Sequence, residues 1–207
     1  MPRRRAHAIG RREILMAQLD FYFDYSCPWC YLATFTVREL AAEGVAVDYH
    51  VWKMPADATP PPKPEGYMEA AGLKLRELRE QLNVKLASPI QKETVPALIA
   101  TKVASEMGKA EAFVEATFLA HWGNKQDISD EALLVKIAEE IGLDAEKFQS
   151  ALNDGSGRAA FEADLQKAQE LNIDTIPSYL NDGMRLLIHH FEDMPTLEQI
   201  RQLAQTE

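Results

Sequence analysis

The sequence predicts an α/β fold interrupted by a helical insertion, and three observations lead there. Residues 18–51 read as strand, helix, strand. Residues 159–204 read as helix, strand, strand, helix. The stretch between them keeps helical periodicity and shows no convincing strand pattern. The order is therefore βαβ, a helical block, then αββα. The α/β domain is assigned to residues 16–60 and 156–207, the helical insertion to 61–155, and a disordered basic arm to 1–15.

The first strand runs from Gln18 to Asp24 around the aromatic run Phe21-Tyr22-Phe23. Pro28 to Ala42 follows as a helix, since proline suits a first helical turn and Gly44 a helix end. Val45 to Val51 alternates and is rich in β-branched and aromatic residues, so it reads as the second strand. Prolines 55, 60, 61, 62 and 64 then make a stiff connection. In the insertion, Met68, Ala71, Leu75, Leu78 and Leu82 repeat at helical spacing. Further helices are expected over 95–107, 110–122, 130–141 and 145–152, with breaks at Gly108, Gly123 and Gly142. Phe113, Phe118 and Trp122 are expected in the core, and Lys74, Arg76, Glu77, Arg79 and Glu80 on a solvated helix face. A helix over 159–171 leads through Asn172 to Pro177 into a short strand. Asn181-Asp182-Gly183 turns it into a partner strand over 184–188. His189-His190 reads as a sheet-edge pair, and Thr196-Leu197-Glu198-Gln199 as a capping box opening a last helix to Ala204.

Composition narrows the function. Of 207 residues, 46% are hydrophobic and 26% charged, as in a globular protein with a full core. The formal net charge of −10 argues against nucleic acid as a partner, since phosphate binding needs a basic face. No apolar run approaches the ~18 residues of a membrane span, so no membrane partner is expected. The first fifteen residues carry Arg3, Arg4, Arg5, Arg11 and Arg12 against Glu13 alone. No apolar segment follows that would make them an export signal, and the expected setting is cytoplasmic.

Both cysteines of the chain lie in Cys27-Pro28-Trp29-Cys30, at the turn from the first strand into the first helix. A helix N-terminus presents unpaired N–H groups and a positive dipole end, which favour a thiolate at Cys27. Cys30 lies one helical turn on, within reach to close a disulfide. A thiolate that forms a mixed disulfide needs a second thiol close by to resolve it, and this spacing supplies one. Trp29 brings no charge and offers an apolar platform for a substrate chain. A structural zinc site would want four ligands, and His7, His50, His121, His189 and His190 do not repeat a finger-like spacing with the cysteines, so no metal is expected. Asp24, three residues before Cys27, has two readings: a proton acceptor near the site, or a strand-end carboxylate holding the turn. In Thr175-Ile176-Pro177-Ser178, an X-Pro bond at a strand entry is either cis or an ordinary trans bond. Beside the dithiol, the Ile176 backbone would be able to pair with an extended peptide or with glutathione.

Residues 18–33, Gln-Leu-Asp-Phe-Tyr-Phe-Asp-Tyr-Ser-Cys-Pro-Trp-Cys-Tyr-Leu-Ala, together with 172–195, resemble the DsbA family of thiol–disulfide oxidoreductases, in particular its FrnE-like cytoplasmic branch. Segments 108–116 and 126–130 are similar to the same branch. The resemblance implies a thioredoxin fold with a helical insertion, Cys27 as nucleophile, Cys30 as resolving cysteine and a cis Pro177 facing them. Pro28, Trp29 and Asp24 support the dithiol in that reading, and Thr175, Ile176 and Pro177 meet the substrate. No cofactor is required beyond the redox-active disulfide, with glutathione an optional co-substrate. The partners are protein or small-molecule disulfides and thiols, and the chain is a monomer or a homodimer. Some FrnE-like proteins carry a second cysteine pair toward the C-terminus, which this chain lacks. Asp174-Thr175-Ile176 also stands where many relatives have a glycine and a valine. The fold is shared with 2-hydroxychromene-2-carboxylate isomerases and kappa-class glutathione transferases, which usually have serine at the position of Cys27. The expected function is thiol–disulfide exchange. Its alternatives are glutathione-dependent isomerisation or transfer, and non-catalytic peptide binding.

Overall fold

The computed structural model describes residues 17–59, 62–90 and 93–206; the expected arm over 1–15 lies outside them, as do Pro60 and Pro61. Strand β1 (Gln18–Phe23), helix α1 (Pro28–Ala42) and strand β2 (Ala46–Val51) form a parallel βαβ unit, with Gln18 opposite Ala46 and Phe23 opposite Val51. Pro28 opens α1, and Gly44 ends it at φ +97°, donating its N–H to the Ala41 carbonyl at 3.0 Å. Strands β3 (Ser178–Asn181) and β4 (Met184–Arg185) complete a sheet of order β2-β1-β3-β4, with β3 antiparallel to both of its neighbours. Helix α8 (Leu197–Ala204) closes the chain behind the capping box of Thr196 and Gln199. Mixed strand directions and helices on both faces make this a thioredoxin fold carrying a helical insertion.

β1 is covered on both faces, which explains its unbroken apolar sequence. Leu19, Phe21 and Phe23 join the main core with α1 and the insertion. Tyr22 points the other way, into a smaller cluster with Trp52, Ala168, Ile173 and Leu180. Between β2 and β3 lie α2 (Tyr67–Gln81), α3 (Val95–Glu106), α4 (Ala110–Phe118), α5 (Glu131–Glu140), α6 (Ala145–Asn153) and α7 (Ser156–Glu170). Helix α3 is the central one: Leu98, Ala100 and Val103 are buried within it. Helix α7 starts hard against it at Gly157, where an added Cβ would come within 2.6 Å of a Val103 methyl.

Several expected elements differ in detail. The helix expected over 110–122 stops at Phe118 and widens into a π-helical turn, Leu119–Gly123. Hydrogen bonds outside the helix anchor that turn: the Trp122 carbonyl accepts from Ala87 N–H at 2.7 Å, and the Trp122 indole donates to the Tyr25 carbonyl at 2.8 Å. Phe113 and Phe118 are core residues, whereas Trp122 is only half-buried at the edge. Strand β4 ends at Arg185 instead of residue 188, and His189-His190 is not a sheet-edge pair. The Asp193 carboxylate accepts from both their backbone N–H groups at 3.0 Å, drawing the chain off the ladder into a 3₁₀ turn, Phe191–Asp193. The apolar repeat of α2 also buries little, since only Ala71 is fully covered and Met68 stays 75% exposed.

A buried ionic network ties the two sides of β2 together. His50 Nδ1 meets Asp164 of α7 at 3.1 Å and Nε2 meets Asp20 of β1 at 3.1 Å. The second Asp164 oxygen accepts from Lys102 at 2.8 Å and from Val51 N–H at 2.9 Å. Burial pulls the His50 imidazole down, but its hydrogen bonds to the two carboxylates outweigh this and raise it above its ordinary 6.5. Burial pushes Asp164 and Asp20 up, and His50, with Lys102 beside Asp164, brings both below their ordinary 3.8. The His50 share of stability is complete below pH 6.5 and fades as pH rises through the raised value. The carboxylate share is complete above pH 3.8 and fades as pH falls through the lowered ones. Replacing Asp164 by Ala leaves His50 and Lys102 without their shared partner and is predicted to cost about 3 kcal/mol in urea unfolding near pH 6, with a flatter stability–pH curve. A loss under about 1 kcal/mol with an unchanged curve would contradict this account.

Candidate active site

The turn from β1 into α1 is built by its own backbone. Asp24 Oδ1 accepts from Ser26 N–H at 2.8 Å, and the Asp24 carbonyl accepts from Cys27 N–H at 3.1 Å. Cys27 thus occupies the cap position of α1 in extended conformation, and no capping bond from its side chain competes for the sulfur. Cys27 is half-buried, Cys30 fully buried, and both thiols are free. The neighbouring Cys30 thiol does most to lower the Cys27 pKa. Burial opposes it, while the backbone N–H groups of Cys30 and Trp29 add to it. Burial, followed by the neighbouring Cys27 thiol, holds the Cys30 thiol well above its ordinary value. Neighbouring sulfurs therefore have opposite preferences, which suits one to attack and the other to wait.

The loop before β3 stands opposite. The Ile176–Pro177 bond is cis, Pro177 is buried, and Thr175 and Ile176 are half-buried. The Cys27 thiol reaches the Ile176 carbonyl at 3.8 Å across 149 residues of sequence. Side chains from elsewhere hold the loop: the Trp52 indole donates to the Ile173 carbonyl at 3.1 Å, and Arg185 to the Asn172 carbonyl at 2.8 Å. Ser178 Oγ donates to the Thr175 carbonyl at 2.7 Å. Pro28 lies in the first turn of α1 beside the dithiol. Trp29 is not an open platform as expected, because its ring stacks on Phe191 at 5.6 Å and 9°, and Phe191 in turn packs on Tyr67 of α2 at 5.2 Å. One face of the indole is therefore already occupied.

Asp24 is 2% exposed. Its Oδ1 holds the turn, and Oδ2 lies 3.5 Å from Lys53 Nζ, which also donates to buried Thr94 at 3.0 Å. Lys53, Thr94, Trp122 and Phe191 also approach this site, none of them expected there from the sequence. A lysine directly after the apolar end of a strand was the one local signal available. Away from the cysteines, a cavity of about 640 Å³ opens between α1 and α4 over Tyr31, Phe35 and Leu119, with Arg38 and Glu115 at its rim. Among the described residues, no cluster of three or more His, Cys, Asp or Glu is arranged to hold a metal.

Comparison with known proteins gives a consistent picture. The family described as the DSBA-like thioredoxin domain matches residues 18–202. The chain is 28% identical over 179 residues to the uncharacterized protein YwbO of Bacillus subtilis, covering 80% of this chain and 87% of that one. It is 23% identical over 181 residues to the 2-hydroxychromene-2-carboxylate isomerase of Pseudomonas sp. strain C18, covering 83% and 85%. Among solved structures, the cytosolic disulfide reductase DsbM from Pseudomonas aeruginosa with GSH superposes with a TM-score of 0.64 at 19% identity, covering 89% of this chain and 96% of that one.

The split between the two thiols predicts selective alkylation. In the reduced protein, iodoacetamide at pH 7 should modify Cys27 at least about tenfold faster than Cys30, a ratio set by thiolate fraction and access. The Cys27 rate should level off below the ordinary thiol pKa. Peptide mapping that found Cys30 modified first would contradict the geometry.

Proposed function

The chain belongs to the DSBA-like thioredoxin domain family, and on that premise we propose that it is a thiol–disulfide oxidoreductase working through Cys27 and Cys30. One observation carries the reading: a half-exposed sulfur whose thiolate is favoured sits one helical turn from a buried thiol whose thiolate is not.

The Cys27 thiolate attacks one sulfur of a partner disulfide along the S–S axis. A Cys27–partner bond forms, and the other partner sulfur leaves with the electron pair and takes up a proton. Cys30 then gives up its proton, and its sulfur attacks Cys27. The Cys27–Cys30 bond forms as the partner thiolate departs, so the partner has gained two electrons and the pair has lost them. Asp24 is the acceptor for the Cys30 proton, since it is the buried carboxylate at the foot of the turn. The Lys53 ammonium beside it compensates its resting charge. The Thr175–Pro177 loop, facing Cys27, is the backbone rail for an extended peptide or for glutathione. The likeness to DsbM, whose structure was solved with GSH, supports glutathione as the co-substrate and a cytoplasmic setting.

The likeness to the Pseudomonas isomerase supports a second reading, in which glutathione binds beside Cys27 and assists an isomerisation. Two variants separate the readings. Under the first, Cys27→Ser abolishes insulin disulfide reduction, and Cys30→Ser accumulates a glutathione-sensitive mixed disulfide visible by mass spectrometry. Under the second, glutathione-dependent isomerase turnover survives Cys30→Ser. Titration of the couple against glutathione assigns direction, a potential near ~−270 mV marking a reductant and one near ~−120 mV an oxidant. Insulin reduction that persisted in Cys27→Ser would overturn the proposal.

A further inference from the structure

Thiol–disulfide exchange makes no use of the cavity between α1 and α4, and two helix faces build that cavity. Tyr31, Phe35 and Arg38 stand at i, i+4 and i+7 along α1. Ala112, Ala116 and Leu119 repeat the spacing along α4 and the turn after it. Aromatic rings on one helix thus face alanines on the other across a slot about 10 Å long, seven residues of helical rise. Leu119 is 42% exposed although it lines this concavity.

The slot is firmly framed. The Tyr31 ring stacks on Phe118 at 5.6 Å and 18° and packs on Phe35 at 5.6 Å. The segment carrying Lys85 is pinned beside the π-helical turn, where Ala87 N–H donates to the Trp122 carbonyl at 2.7 Å. Only a glycine fits at residue 123 without something shifting, since a Cβ there would come within 2.6 Å of a Leu119 methyl and 3.5 Å of Lys85 Cβ.

Three polar groups of the lining have bonding capacity to spare. Tyr31 is 3% exposed and burial alone raises its pKa; among the described residues its hydroxyl has no hydrogen-bond partner. Arg38 lies 5.2 Å over the Phe35 ring and meets Glu115 at 3.6 Å, longer than a hydrogen bond, so its guanidinium keeps its donors. Lys85 also lines the cavity and takes part in no ion pair among the described residues. Two cations therefore stand against one carboxylate, in a chain whose net charge is −10. Burial pushes that Glu115 carboxyl up, toward its neutral form.

We propose that this cavity is a binding site for an amphipathic monocarboxylate. The apolar body lies between the aromatic rings of α1 and the alanines of α4, and the carboxylate meets Arg38 and Lys85. An apolar slot with a few convergent polar groups is the usual form of a small-ligand site, and a guanidinium pairs well with a carboxylate. Glu115 holds Arg38 at the rim without consuming its donors, and the Tyr31 hydroxyl is the polar anchor on the α1 side. Aliphatic and aromatic acids share this chemistry. The site lies away from the dithiol, so the inference goes beyond the thiol–disulfide reading and does not depend on it.

Calorimetric titration of the reduced full chain with octanoate and with 2-naphthoate tests this. At least one acid is expected to bind with a dissociation constant below about 1 mM, and the preferred one tells a flexible chain from a flat ring. Octylamine, with the same apolar chain and the opposite charge, should not bind. Arg38→Gln should weaken the acid at least about tenfold, the weight of a charge-assisted hydrogen bond. Ala116→Trp, which fills the slot and keeps every charge, should abolish binding. Glu115→Gln should bind at least as tightly as the wild type, and Cys27→Ser equally well. Failure of both acids to bind, equal binding of octylamine, or full affinity in Arg38→Gln or Ala116→Trp overturns the proposal. Weaker binding in Glu115→Gln overturns it too, by showing a cationic group in the ligand, and loss in Cys27→Ser does so by placing the ligand at the dithiol. Should Ala116→Trp fail to fold, methyl NMR of the wild-type chain decides. The Ala112, Ala116 and Leu119 methyls should move with added acid while those of Ile176, beside Cys27, stay in place; the reverse pattern refutes the site.

Discussion

Two thiols one helical turn apart experience opposite surroundings, and the rest of the molecule is arranged to keep them so. Cys27 stands at the open end of α1, where the Cys30 thiol and the backbone N–H groups of Cys30 and Trp29 favour its thiolate. Cys30 is inside the core, where a charge on sulfur would be poorly solvated. The asymmetry needs α1 to begin at residue 28 and its inner face to be sealed. Pro28 supplies the first condition, and the packing of Tyr31 and Phe118 over the helix supplies the second.

The insertion contributes to that seal and also grips the active-site turn. Tyr25 is enclosed between Phe23 and Phe118, with its hydroxyl on α3 and its carbonyl under the Trp122 indole. Lys53 spans from Thr94, at the start of α3, to Asp24. Three contacts from the insertion thus converge on Tyr25, while Lys53 links Asp24 before it to the start of α3. A turn held from so many directions loses little further entropy when a substrate docks. The same convergence accounts for the π-helical turn, since its widened geometry lets His121 face inward while Trp122 reaches the loop.

On the opposite face of the sheet, His50, Asp164, Asp20 and Lys102 join β1, β2, α3 and α7. Buried charges of this kind add little net stability over an apolar replacement, but they are costly to break singly. Their position suits them to fix where β2 and α7 meet. Trp52, two residues after His50, carries that placement on to the 172–177 loop through its indole. The cis-proline loop, and with it the Ile176 carbonyl opposite Cys27, is therefore set from the far side of the sheet as well as by its own turn.

Much of this was legible locally. The aromatic run of β1, the proline and glycine that bound α1, and the capping box at Thr196 act over a few residues, so periodicity and cap chemistry disclose them. The three-residue spacing of the cysteines carries its own geometry and made the dithiol visible without a fold. What sequence spacing did not contain is the set of partners that come from far along the chain. Ile176 meets Cys27 across 149 residues, Asp164 meets His50 across 114, and Trp122 meets Tyr25 across 97. The same reason explains the misread elements. β4 yields to the Asp193 carboxylate, which binds the backbone of His189 and His190, the helix after Lys109 widens where Tyr25 and Ala87 draw on it, and Trp29 loses a ring face to Phe191. Local chemistry determined which segments form helices and strands and where the sulfurs lie. Only packing determined which distant groups surround them, because burial and the charges of distant neighbours, which decide how a thiol or an imidazole titrates, exist only once the chain has closed on itself.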